Sequence, residues 1–489
     1  MKKQRLLPGL LGAVLALTLT ACAPVGPDYH PPDPAMPAGW VQTAANGPAA
    51  EITSWWTRFN DPLLNSLMDR AAQSNKDLHI AEAHVRQARA QRIIAAATGS
   101  VNTSVSSTRS RRSLNTTSSG GTDNLFQAGF DAGWELDIFG GVRRAVEAAD
   151  ASFDASREDL RDAMVSLNAE VARNYLELRG NQRRYAVARE NITTQQKTVD
   201  LVQGRLGMGL GNELDLANAR TELAMTQAQV PALQTLIRQA MYQLAILTGQ
   251  NPASLIAELS PEDTVLAVPE HLPISLPSDL LRQRPDIRAA ERRLAAATAG
   301  IGVATADLFP RFSLAALVGL QSIDLSSLVT SGSRYWSVGP TVKLSVFDQG
   351  RARAGIEIST AQRDAALALY EKTVLTALSE VEGALIAFSH EQETRQNLAE
   401  AVASGKKAVT IAGGLYTSGL TDFLHVLQSE HALYQSQDQL VQSDQRLALD
   451  MVAIFKALGG GWKIADPLVS SGTEIPAAIQ KPSHENYKQ

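Results

Sequence analysis

The sequence predicts an α+β membrane fold built as an internal duplication, with four β-strands per chain continued by long helices. Three observations predict it. The order of elements repeats at an offset of about 210 residues. In each half the apolar period changes from helical to strict alternation and back. Beyond one short N-terminal run, no apolar stretch is long enough for a membrane-spanning helix, so any crossing must use strands.

Lys2, Lys3 and Arg5 precede an apolar run from Leu6 to Leu19, the pattern of a signal peptide over 1–21. The run ends in Leu19-Thr20-Ala21-Cys22, and Cys22 is the only cysteine among 489 residues, which excludes a disulfide within the chain. Small residues before a lone Cys resemble a bacterial lipobox. A lipid on Cys22 is the one covalent group expected, and Ala23 after it favours outer-membrane sorting. Lys plus Arg (45) nearly balance Asp plus Glu (50), so no basic face suggests nucleic acid as a partner. Aromatics are only 5% against 44% hydrophobic, so the apolar content is largely Ala, Leu and Val, suited to close helix packing.

The first repeat is expected over 61–250. It opens with a helix from Asp61 to Ala97, followed by strands at about 100–110 and 125–138. In the second strand Phe126, Ala128, Phe130, Ala132, Trp134, Leu136 and Ile138 alternate with Gln127, Gly129, Asp131, Gly133, Glu135 and Asp137. The Ser- and Thr-rich strand before it alternates only weakly. The second repeat, over 278–462, carries strands at about 311–321 and 335–347, with Trp336, Val338, Val342, Leu344 and Val346 on one face. A soluble β-sandwich shares this alternation, but four strands of about ten residues are few for a sandwich and suit a tilted bilayer crossing. Four strands cannot close a barrel, and an open edge in lipid leaves backbone groups unsatisfied, so the chain must oligomerise. Three copies give twelve strands. The links from Ser110 to Asp123 and Ser322 to Arg334, rich in Ser, Thr and Gly, are expected as external loops.

After each strand pair the apolar spacing becomes three, four or seven. It runs through Leu167, Val171, Tyr175, Leu178, Val199 and Val202, and again through Tyr370, Val374, Val381, Leu385 and Phe388. From Gly141 to Leu206 this predicts a helix about 100 Å long at about 1.5 Å per residue. Return helices are expected from Glu213 to Leu247 and Asp422 to Leu458. The first is expected to join a helix from Ser278 to Asp307, and the second to stack on the N-terminal helix. A Pro-rich linker at 251–277 forms an equatorial belt, 22–60 is a lipid-anchored extension, and 463–489 is a tail.

The lipobox, the leader Gly26-Pro27-Asp28-Tyr29, the Trp55-Trp56 to Asp61-Pro62 segment and the duplicated order of elements together resemble the TolC-like outer-membrane efflux factors. The resemblance is to the NodT-type lipoprotein branch serving resistance-nodulation-division pumps, and it covers Cys22 to about Trp462. It implies a homotrimer in which a twelve-stranded β-barrel is continued by an α-helical barrel in the periplasm. It also implies a periplasmic adaptor and an inner-membrane pump as partners, and a duct that passes small molecules such as drugs. Ducts of this kind also serve metal ions or secreted polypeptides, so the cargo stays open. In that family the periplasmic gate follows the tip glycines, here Gly209 and Gly419, which are expected to contact the adaptor. The gate positions are then Leu214 and Asp215 in the first half and Asp422, Leu424, His425 and Gln428 in the second. His425 and Gln428 stand where acidic residues are common in the family, which argues against a purely acidic gate. Leu424 is expected to form the narrow apolar ring. His425 either makes conductance pH-sensitive or simply faces solvent or a neighbouring helix.

Other constellations give no catalytic or metal site. Gly207-Met208-Gly209-Leu210-Gly211 follows a helix rather than a strand and lacks phosphate-loop spacing. His79 and His84 are five apart, not the four that would pair two imidazoles on a helix face. A non-conducting coiled-coil lipoprotein and a cell-wall enzyme are the competing classes. The alternating strands oppose the first, and the lack of a nucleophile or metal set opposes the second.

Overall fold

A computed structural model describes residues 24–41, 52–113, 122–261 and 279–462. The signal peptide, Cys22, the tail, most of the equatorial linker and the tip of the first external loop lie outside the described residues.

The first half runs α1 (Pro62–Ser74), α2 (Lys76–Thr98), β1 (Asn102–Ser113), β2 (Thr122–Leu136), α3 (Gly141–Gly207) and α4 (Glu213–Leu247). A short α5 (Ile256–Leu259) follows, then α6 (Leu280–Gln283), α7 (Pro285–Ala306), β3 (Arg311–Ser322), β4 (Arg334–Lys343), α8 (Arg351–Thr417) and α9 (Phe423–Ala457). The long helices α3 and α8 have 67 residues each, about 100 Å at about 1.5 Å per residue. No described helix is long and apolar enough to cross a membrane.

The strands form one antiparallel sheet in the order β1-β2-β3-β4. Cross-strand register aligns Val105, Phe130, Val318 and Trp336 on one row, and the row beside it, on the other face, holds the polar Ser104, Asp131 and Ser337 together with Leu317. Within the chain the apolar face is bare: Trp336 is 77% exposed and Phe130 61%. On the opposite face the Asp131 carboxylate accepts from the hydroxyls of Ser104 and Ser106 at 3.4 and 3.3 Å. β1, the weakest alternation, is nevertheless a full strand because its backbone pairs with β2 along twelve residues.

Strands β2 and β4 end earlier than expected, at Leu136 and Lys343, leaving Ile138, Leu344 and Val346 outside the sheet. The next helix captures the chain at these points. The Asp137 carboxylate accepts from the backbone N–H of Val142 and Arg143, and Asp348 accepts from Gly350 and Ala352, satisfying orphan donors of α3 and α8. Gly140 and Gly350 turn the backbone through the left-handed region at φ +80° and +85°.

The expected helix from Asp61 to Ala97 is broken at Asn75. That residue is extended at ψ 135° and caps α2 by accepting from Asp77 and Leu78. The expected helix from Ser278 to Asp307 likewise breaks at Arg284, where Pro285 begins α7.

The stacking partners differ from the expected ones. α4 meets α2 rather than α7: the Asn75 side-chain amide donates to Leu247 O at 3.0 Å, and Gly249, at φ +69°, sits so tightly on Ser74 that a Cβ would stand 2.3 Å from its carbonyl oxygen. α9 meets α7 rather than the N-terminal helix, through Arg284 Nη1 donating to Ala457 O at 2.8 Å, with Gly459 against Arg284. In both joints a donor on the upper helix satisfies a C-terminal carbonyl of the lower one, and the positive charge of Arg284 also suits that end of the helix dipole. Each half therefore builds its own jointed column beside its own unbroken helix.

The core sits at the joints. Trp55 stacks on Phe455 at 5.3 Å between ring centroids, and Leu64, Leu67, Val171, Tyr175, Leu244, Val374 and Met451 are buried around them. Asp61 caps α1 and accepts from the Tyr175 hydroxyl at 2.5 Å, while Arg179 donates to that hydroxyl at 3.1 Å and to Pro261 O. The leader 24–41 follows the outside of this shaft. Val25 N donates to Phe139 O at the corner between β2 and α3, Tyr29 donates to Glu291 on α7, and Val41 N donates to Glu382 on α8.

Candidate functional site: the helical tip

At the end of the shaft away from the sheet, α3 turns into α4 and α8 into α9 by the same motif. Gly209 and Gly419 lie at φ +72° and +70°. Leu210 N donates to Arg205 O and Leu420 N to Leu415 O, both at 2.9 Å, closing the carbonyls of the preceding helix. A residue with a side chain is strained in this conformation, which is why the two glycines repeat. The following caps differ. Asn212 Oδ1 accepts from Asp215 N at 2.8 Å, whereas Asp422 at the start of α9 makes no side-chain cap bond.

Below the equatorial core, Val199, Val202, Leu216, Ala219, Leu223, Ala412, Tyr416, Phe423 and Val426 form a second buried cluster. Tyr416 and Phe423 meet at 5.5 Å between centroids. The Arg205 guanidinium lies over the Tyr416 ring at 4.7 Å and donates to Thr417 O at 3.2 Å, tying the ends of α3 and α8 together. Burial raises the Tyr416 phenol above its ordinary range, against the pull of Arg205.

Of the anticipated gate residues, Asp422, Leu424, His425 and Gln428 are exposed, with Leu424 at 52%, while Phe423 and Val426, which were not among them, point into the cluster. Leu424 and Gln428 are four apart on one face of α9. In the first half Leu214 is exposed and Asp215 half-buried. Leu210 and Leu420, directly after the two glycines, are 63% and 74% exposed and, with Met208, make the apex apolar. The sequence carries that signal as the repeated pairs Gly209-Leu210 and Gly419-Leu420, whose leucines lie outside the expected gate positions. Among the described residues, no group of three or more His, Cys, Asp or Glu side chains is placed to hold a metal ion.

A sheet apolar on one face and polar on the other, open at both edges, and hung on paired helices about 100 Å long is one protomer's share of a membrane duct. The family model for outer membrane efflux proteins matches residues 67–250 and again 276–460. The solvent efflux pump outer membrane protein SrpC of Pseudomonas putida is 32% identical over 460 residues, 92% of this chain and 97% of its own length. Nodulation protein T of Rhizobium leguminosarum bv. viciae is 31% identical over 480 residues, 97% of this chain and 98% of its own. The solved outer-membrane channel OprN superposes with a TM-score of 0.86 at 39% identity, covering 90% of this chain and 99% of that one. The chain belongs to the outer membrane efflux protein family. It is the outer-membrane channel component of an efflux system.

Proposed function

We propose that three copies of this chain close one lipid-anchored duct of a tripartite efflux system, passing small molecules such as drugs from an inner-membrane pump and periplasmic adaptor to the exterior. The observation that carries this is the sheet: among the described residues β1 and β4 are both unpaired edges, and the face bearing Phe130, Trp134, Val318 and Trp336 stays exposed, with Trp134 at 41% donating its indole N–H to Gly99 O. Closure by sister copies satisfies the edges, lipid covers the apolar row, and Asp131 faces a wet lumen.

Each element then has its task. The unbroken α3 and α8 and the two jointed columns build a helical barrel in the periplasm. Leu424 forms the narrow ring of the gate, Leu214 and Gln428 line it, Asp422, His425 and Asp215 supply its polar and charged groups, and triplication multiplies each contribution in a confined pore. The turns at Gly209 and Gly419 present Leu210 and Leu420 to the adaptor. The resemblance carried by the leader and the duplicated elements implies a pump of the resistance-nodulation-division type, and one relative is named for a solvent efflux pump. The duct carries its cargo unchanged and performs no chemistry on it.

The leader supports a lipid on Cys22. Val25 N donates to Phe139 O at the sheet's inner rim, so the start of the described leader lies at the membrane end of the shaft. The test is planar-bilayer recording of the purified protein together with its cross-linked mass. Trimer-sized channels support the duct; a monomer without conductance defeats it. Mass spectrometry of the wild type against Cys22→Ala reads the acyl chains directly.

A further inference from the structure

Just above the tip cluster the seam between α3 and α9 turns polar. Gln195 and Thr198 lie three apart on α3, and Glu430, Tyr434 and Gln437 follow one another by four and three on α9. Thr198 Oγ1 donates to Glu430 Oε1 at 2.8 Å. From α4 comes Glu222, whose Oε1 is 3.0 Å from His431 Nδ1. Glu430 is only 4% exposed. Gln195, at 2%, has a partner for neither atom of its side-chain amide, and the Tyr434 hydroxyl and Gln437 Oε1 are also buried and unpartnered. Each such atom carries a desolvation cost unless water reaches it. A row of them beside a buried carboxyl is a poor way to build a static coiled coil and a good way to build a layer that can hydrate.

We infer that Glu430 is a proton-binding switch in this layer. Neutral, it lets the seam close and continues the shaft into the tip cluster. Ionised, it stands near Glu222 as a second carboxylate, draws water along Gln195, Tyr434 and Gln437, and loosens the segment of α9 that carries Leu424 and His425. The inference rests on the gate function proposed for that segment.

The groups around Glu430 are accounted for element by element. α3 brings the uncharged Thr198 and Gln195, and α4 brings Glu222. α9 itself brings Tyr434 and His431, which offsets Glu222 only while its imidazole is charged. α8 approaches one turn on through Gly405, against Leu433. Burial raises the Glu430 carboxyl above the usual carboxylate range, the Thr198 hydroxyl pulls it partway back, and Glu222 raises it further. For an acid whose folded value is raised, the stabilisation is complete below the unfolded value of about 4.3 and is lost as pH rises through the folded value. The seam is therefore tightest in acid and loosest in alkali.

Hydrogen exchange of amides 423–434 in the purified full-length protein, corrected for the intrinsic pH dependence of exchange, tests this at pH 5.5 and 8. The wild type is expected to lose protection on going from pH 5.5 to 8, and Glu430→Gln to keep it. Glu222→Gln is expected to fall between them, and it carries the comparison if Glu430→Gln fails to fold. The same loss in wild type and variant overturns the switch. Because exchange is read without any transport, that result leaves the duct itself untouched.

Discussion

The side-chain amide of Asn75 donates to the carbonyl oxygen of Leu247, 172 residues later, while its own Oδ1 caps α2. One side chain thereby ends α4 and begins α2. Asn75→Ala removes the cap and the joint together, and is expected to destabilise the protein by about 1–2 kcal/mol. Asn75→Asp keeps the cap acceptor but loses the donor, so it should fall between. Thermal melts followed by circular dichroism in detergent check the order; an alanine variant as stable as wild type refutes the joint.

Gly419 lies at φ +70° with open space around it, so a substitution there is opposed by backbone conformation rather than by crowding. Gly419→Val is expected to cost about 1–2 kcal/mol locally, and Gly419→Asn much less because Asn tolerates this region. If the turn presents Leu420 to the adaptor, the valine variant loses efflux in cells at unchanged abundance, and the asparagine variant keeps most of it.

His425 is exposed beside Leu424. If the three copies bring it to the constriction, His425→Asp places three carboxylates there and should raise cation conductance in planar bilayers relative to His425→Ala. Superimposable current–voltage curves for the two variants would place residue 425 away from the pore.

Val338 shares the apolar row with Ala316 and Ala132, whereas Ser337 lies on the other face beside Leu317. Val338→Lys is expected to cost about 2–4 kcal/mol in the bilayer and to deplete the trimer, while Ser337→Lys should assemble normally. Cross-linking of membrane fractions reads the difference. Equal assembly would mean that the two faces have been assigned the wrong way round.

The parts legible in the sequence were those governed by local period. The alternation through Phe126 to Leu136 marked a strand, and Glu213 to Leu247 marked a helix whose observed ends agree with that span. Tertiary partnership was not legible. Nothing in the apolar spacing says that α4 ends on α2, because the deciding contacts come from single residues: Asn75, Arg284 and the left-handed Gly249 and Gly459. The strand ends failed for a similar reason. Leu344 and Val346 continue the alternation, yet Asp348 caps α8 and ends the sheet first. Around the tip, the glycine repeat was visible, but the buried Glu430 gave no periodic signal because it occupies a heptad position that an apolar residue would normally fill.

The joints at Asn75 and Arg284 also decide how force travels. A continuous rod transmits torque along its whole length, whereas a column cut at mid-height relieves it at the cut. Among the described helices only α3 and α8 run unbroken past the equator in each protomer, so they are the stiffest path by which a twist applied to the lower end reaches the strands. The lower halves of the jointed columns can then swing while the membrane end keeps its diameter, and the seal around the lipid-embedded rim does not have to be remade each time the far end moves.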